Sequence, residues 1–142
     1  MIKIEGLTHW SIPVNNLDES EAFYRDVLGM EYKGRLGNAR MACVVAGDQN
    51  ILLCQREQPS TRVEEDTGVH HSFTVSPQSF EEGCKVLHDR GVPIVELVYR
   101  EQGFFTGREL YFLDPSGNRL ELRDPTWKPG MPKPSHEELA HA

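Results

Sequence analysis

The sequence predicts an α+β fold made of two tandem βαβββ modules. Three observations lead there. The segment His9-Trp-Ser-Ile-Pro-Val14 returns in pattern as His70-His-Ser-Phe-Thr-Val75, 61 residues later. Each copy is followed by a helix-start signal and, further on, by a glycine that ends the helix. Three short strand-like runs come after each helix. Self-similarity at a fixed spacing marks a repeated supersecondary unit, so the two halves are read as two copies of one module.

Taken in order, the first strand leads to Asn16, an N-cap residue with Glu19 three positions on. Ser20, Phe23, Tyr24, Val27 and Leu28 then make one helical face before Gly29. Strand-like runs follow at roughly 30–36, 39–46 and 50–56. In the second copy Ser76 is the N-cap, Pro77 takes the first helical position, and Phe80, Cys84 and Leu87 form the apolar face before Gly91. Its strands fall at roughly 93–100, 108–114 and 118–124. The last two strands of each copy are joined by turn-forming residues, Gly47-Asp-Gln-Asn50 and Asp114-Pro-Ser-Gly-Asn118. The modules therefore span 1–57 and 68–124, with a polar linker at 58–67. Residues 125–142, carrying Pro125, Pro129, Pro132 and Pro134, read as an extended tail with room for a short helix at its end.

At 142 residues with 38% apolar content, the chain is long enough for one domain with a real core. Its 15 basic and 22 acidic residues leave a net charge of -7, and no Lys/Arg cluster is present to neutralise a run of phosphates, which argues against nucleic acid as a partner. No apolar stretch approaches the roughly 20 residues of a membrane span, and Met-Ile-Lys-Ile-Glu at the start is unlike a signal peptide. A cytoplasmic location is expected. Cys43, Cys54 and Cys84 are odd in number and sit in apolar contexts, as buried, reduced thiols do.

Alternation along the strands sorts their side chains into two faces. One is apolar: Trp10, Ile12 and Val14, then Phe73 and Val75, with Leu110, Phe112, Leu120 and Leu122. The other carries His9 and Ser11, then His70, Ser72 and Thr74, with Glu109, Tyr111, Glu121 and Arg123. A polar face can simply be a solvated one. Two imidazoles at the same place in two copies of a unit, plus a carboxylate, are instead the 2-His-1-carboxylate set that leaves open positions on a divalent ion. His71 alternates to the other side and reads as a core or edge histidine.

From residue 5 to 124 the chain resembles the vicinal-oxygen-chelate superfamily of glyoxalases, bleomycin-resistance proteins and extradiol dioxygenases. The matching pieces are Leu7 to Val14, Leu17 to Gly29, Val69 to Val75, and Leu110-Tyr-Phe-Leu-Asp-Pro-Ser-Gly-Asn-Arg-Leu-Glu-Leu122. The resemblance implies that the two modules curl their mixed sheet into a cup around one metal ion, with the helices on the outer face. It also implies His9, His70 and Glu121 as ligands, for Fe(II), Mn, Zn or Ni. The place of Glu121 in the first module falls near Leu52, so three protein ligands are expected rather than four.

An open-sided ion of this kind accepts a small substrate with adjacent oxygens. The resemblance points first to an extradiol-dioxygenase-like reaction, since Leu110, Tyr111, Asp114, Pro115, Gly117 and Glu121 match that branch's signature. Tyr111 and Glu109 are the implied catalytic groups, with Ser11 and Arg123 facing the substrate. That signature's upstream histidine has no counterpart in Gln102 to Arg108. The alternative is an epoxide-opening transferase or hydrolase of the fosfomycin-resistance kind. Against it, Arg40 stands near the place of the hydrolase branch's Glu base, and the Ser-rich potassium loop of the thiol-transferase branch is missing. A second alternative is a non-enzymatic, bleomycin-type binding protein, which would lose the ligands retained here. Short relatives commonly form homodimers, either side by side or by exchanging modules, with His9 from one chain and His70 and Glu121 from the other. A ten-residue linker reaches about 33 Å when extended, enough for either.

Overall fold

The computed structural model describes residues 1–60 and 68–142, so most of the expected linker, 58–67, lies outside the described residues. The chain divides into two compact units, Met1–Thr61 and Arg62–Ala142.

The first unit runs β1 (His9–Val14), α1 (Leu17–Ala22), β2 (Glu31–Leu36), β3 (Met41–Ala46) and β4 (Gln49–Gln55). Its sheet has the order β1-β4-β3-β2, with β1 parallel to β4 and the other pairs antiparallel. Asn16 caps α1 as its sequence position implies, its side chain accepting from the Glu19 amide at 2.9 Å. The helix does not keep its pitch to Gly29. It passes into a π-helical turn at Phe23–Val27, in which the Leu28 amide donates to the Phe23 carbonyl at 3.0 Å. The wider turn rotates the face, so Leu17, Ser20, Phe23 and Tyr24 are buried whereas Val27 and Leu28 are only half-buried. Glu21 is buried too, because Arg35 from β2 donates to it at 2.6 Å. The core is Ile12, Val14, Val44, Ile51 and Leu53, all fully buried, and burying such a side chain is worth about 1.5–3 kcal/mol.

The second unit repeats the plan: β5 (His71–Thr74), α2 (Pro77–Asp89), β6 (Ile94–Arg100), β7 (Gly107–Leu113) and β8 (Arg119–Asp124). The order is β5-β8-β7-β6, again with the outer strand parallel to the last one. Ser76 caps α2 by accepting from the Ser79 amide at 3.1 Å, with Pro77 in the first turn. Phe80, Cys84 and Leu87 are buried on the α2 face, as are Leu110, Phe112, Leu120 and Leu122 on the sheet. The turn before β8 is locked by Asp114, whose Oδ1 accepts from the amides of Ser116 and Asn118, both at 2.9 Å. The expected α+β architecture is present in both units as an open four-stranded mixed sheet.

The Pro-rich segment is more than a loose tail. Trp127 is buried, and its indole donates to the Pro132 carbonyl at 2.9 Å. Its ring lies 5.0 Å from that of Tyr99, whose hydroxyl donates to the Pro134 carbonyl. Helix α3 (His136–Ala140) follows, started by a capping box between Ser135 and Glu138; it packs on α2, and its Leu139 and Ala140 are buried. No helix among the described residues is long and apolar enough to cross a membrane. The three cysteines are free thiols; Cys84 is buried, and that burial raises its pKa to about 11.

Candidate metal centre

In the second unit, alternate side chains of three adjacent strands project into one cavity of about 610 Å³. From β5 and the residue before it come His70, Ser72 and Thr74; from β7, Glu109 and Tyr111; from β8, Glu121 and Arg123. These are the polar positions that period-2 alternation assigns to a single face. The register explains why they meet: Ser72 sits opposite Glu121, and Tyr111 sits opposite Glu121 from the other side.

His70 and Glu121 form the centre of the group. His70 Nε2 lies 3.2 Å from Glu121 Oε1. Two donors bound to one ion at about 2.0–2.2 Å stand roughly 3.0–3.5 Å apart, so this pair fits a shared divalent ion without rearrangement. The second oxygen of Glu121 accepts from Ser72 Oγ at 2.6 Å, which fixes the carboxylate plane. Glu121 is 3% exposed, and a carboxylate that deep needs such partners. His71 does turn away from this face. Burial lowers its pKa, Asp114 pulls it back up, and His70 lowers it further.

Next to this pair stands a second buried carboxylate, Glu109, at 2% exposure. Arg100 from β6 grips it with two bonds, of 2.8 and 3.1 Å, and the Tyr111 hydroxyl donates to it at 2.7 Å. The Tyr111 phenol is pushed well above its ordinary pKa, first by burial and then by hydrogen bonding with Glu109 and Glu121. It therefore stays protonated at neutral pH. Its ring meets His70 edge-on at 5.7 Å and carries the Arg119 guanidinium 4.5 Å above it. Arg123 donates to the Thr106 carbonyl and lies 5.6 Å over Phe105, while its Nε is buried with no partner among the described residues.

Arg100 is a cavity-lining residue that sequence reasoning passed over. Its signal was the alternation of β6, where Val98 pairs with Glu109 and Arg100, two residues on, shares that face. Phe104 and Phe105, both exposed beside the cavity, carry no period that singles them out. His9 and Ser11 belong to the first unit, at the exposed start of β1 opposite Asn50 and Leu52. A hydrogen bond links Ser11 with the Cys54 thiol; burial raises the pKa of that thiol and the bond opposes the rise.

The model of the Glyoxalase/Bleomycin resistance protein/Dioxygenase superfamily matches residues 6–122. The chain belongs to that superfamily. Within it, the glutathione transferase FosA of Serratia marcescens is 30% identical over 120 residues, 84% of this chain and 80% of its own length. The metallothiol transferase FosB of Staphylococcus epidermidis is 29% identical over 119 residues, 84% of this chain and 83% of its own. Among solved structures, a variant of the fosfomycin resistance protein FosX from Listeria monocytogenes, complexed with Mn(II) and 1S,2S-dihydroxypropylphosphonic acid, aligns with a TM-score of 0.65. That alignment covers 85% of this chain and 90% of the other at 18% identity, a likeness of superfamily fold alone.

Proposed function

We propose that this chain, a metal-dependent enzyme of the superfamily, opens the epoxide ring of a small phosphonate of the fosfomycin type. The extradiol-like reaction placed first from the sequence is corrected to second rank. The curated relatives are thiol transferases rather than dioxygenases, and the upstream histidine of the dioxygenase signature has no counterpart in the chain. The non-enzymatic reading loses ground as well, since the ligand types are retained.

The observation that carries the proposal is the cavity of the second unit, which sets an ion-ready His70–Glu121 pair beside an arginine with an unsatisfied buried donor. A phosphonate oxygen accepting from Arg123 Nε would satisfy that donor with a charge-assisted bond. His9, His70 and Glu121 would hold the ion, which when bound supplies Lewis-acid polarisation of the ring oxygen. Tyr111, kept protonated, rests its one hydroxyl proton on Glu109 and would have to turn it toward the cavity to donate to a substrate oxygen. Glu109, itself immobilised by Arg100, aims that phenol. Attack on a ring carbon breaks one C–O bond and forms one C–S bond, and the nucleophile's proton ends on the new hydroxyl. The transferase relatives favour a thiol as nucleophile; water would make the chain a hydrolase.

Phosphorus NMR tests this directly, with fosfomycin, glutathione or cysteine, and Mn(II) as the first ion. A new phosphonate resonance should appear only with ion present and should vanish in His70→Ala and Glu121→Ala. Unchanged fosfomycin with every thiol and with water, together with catechol cleavage by the Fe(II)-loaded protein, would restore the extradiol reading.

A further inference from the structure

A second group of donors lies where the end of α2 meets α3, and none of its members lines the cavity. We infer that His88, Glu137 and His141 form a second divalent-ion site, suited to a borderline transition ion such as zinc. Their ligand atoms all lie within 4.8 Å of one another. Glu137 and His141 are one helical turn apart, with Oε2 and Nε2 at 3.3 Å, already the spacing of two ligands on one ion. His88 comes from the last turn of a different helix, and its ring meets that of His141 at 4.8 Å and 77°. The two separations from His88 are at most 4.8 Å, and closing them to roughly 3.5 Å would let all three reach bonds of about 2.0–2.2 Å. The side chains that would move, Glu137 and His141, are 72% and 63% exposed and can rotate without repacking the core.

A plain surface ion pair between Glu137 and His141 would contribute little and would not call for a third donor from another helix. A third imidazole, His136, lies 6.0 Å from His88, with both ring nitrogens buried and without a hydrogen-bond partner among the described residues. Two imidazoles and a carboxylate favour zinc, nickel or copper over magnesium or calcium. With Glu137 and His141 exposed and His88 half-buried, the site has the character of a clasp: an ion bound to it would pin α3, and with it the Trp127 segment, to α2.

Calorimetric titration of zinc chloride into the full chain carrying Glu121→Ala, with His70→Ala as a second background, isolates this site from the cavity. One zinc ion per chain should remain. Adding His141→Gln or Glu137→Gln should weaken it at least about tenfold, since the loss of even an outer-shell partner costs roughly 10- to 100-fold. Both positions are exposed, and circular dichroism would verify that the fold persists. Anomalous scattering at the zinc edge should place a peak between α2 and α3. Absence of zinc binding in both backgrounds, or binding unaffected by His141→Gln and Glu137→Gln, would overturn the site.

Discussion

Glu121 and Glu109 are neighbours on one sheet face and equally buried, yet they are held in opposite ways. Arg100 and Tyr111 occupy both oxygens of Glu109 with donors. Glu121 spends one oxygen on Ser72 and turns the other toward His70. On our proposal Glu121 is the carboxylate that would bind the ion, and Glu109 the one that would orient the phenol. His70→Ala and Glu121→Ala are each expected to strip most metal from protein purified without added ions, as elemental analysis would reveal; full retention by both would refute the ligand assignment. Tyr111→Phe removes the donor to Glu109 and should lower turnover by roughly 10²-fold or more, the usual range for a proton-donating group. If kcat is unchanged, the phenol has no such role. Away from the cavity, Asp124 is buried and paired with Arg108 at 2.8 Å. Burial alone would raise its pKa, but bonds from Thr126 and the Arg108 guanidinium bring it below the ordinary value. Because the unfolded carboxyl titrates near about 3.9, the stability it contributes is complete above that pH and lost as pH falls through the lower folded value. Asp124→Asn should flatten the acid limb of a stability-against-pH curve; an unaltered limb would show that other carboxylates dominate.

Two helix starts were legible because each cap is a local event: Asn16 and Ser76 both accept from an amide three residues on. Asn16→Ala should cost about 1 kcal/mol in denaturant unfolding. A cost near zero would mean that packing, not the cap, sets the helix start. The polar face of the second unit was equally legible, since strict alternation through Ser72, Thr74, Glu109, Tyr111, Glu121 and Arg123 needs only a period of two. The π-helical turn at Phe23–Val27 was not, because its extra residue per turn answers to how Phe23 and Tyr24 fit the core. Arg100 and the docked Trp127 segment escaped for a related reason: their partners, Glu109 and Tyr99, are distant in sequence or hidden by irregular backbone. Trp127→Ala should therefore destabilise the chain by about 3–5 kcal/mol, like other buried tryptophans, as thermal or urea unfolding can measure.

For the whole molecule, the proposed ligand set draws on both units, and a homodimer remains our proposal for how the chain assembles. Light scattering should give twice the 16.2 kDa chain mass. Mixing His9→Ala chains with Glu121→Ala chains then separates two arrangements: exchanged modules regain up to one intact ion site per heterodimer, and side-by-side chains regain none. The two sheets share one topology, and their registers align residue for residue. Ser11 faces Leu52 where Ser72 faces Glu121. An acid in the second sheet thus has an apolar counterpart in the first, on the corresponding strand and beside the same kind of hydroxyl. Leu52→Glu would give the first sheet the acid that the second already carries, set beside Ser11 as Glu121 is set beside Ser72.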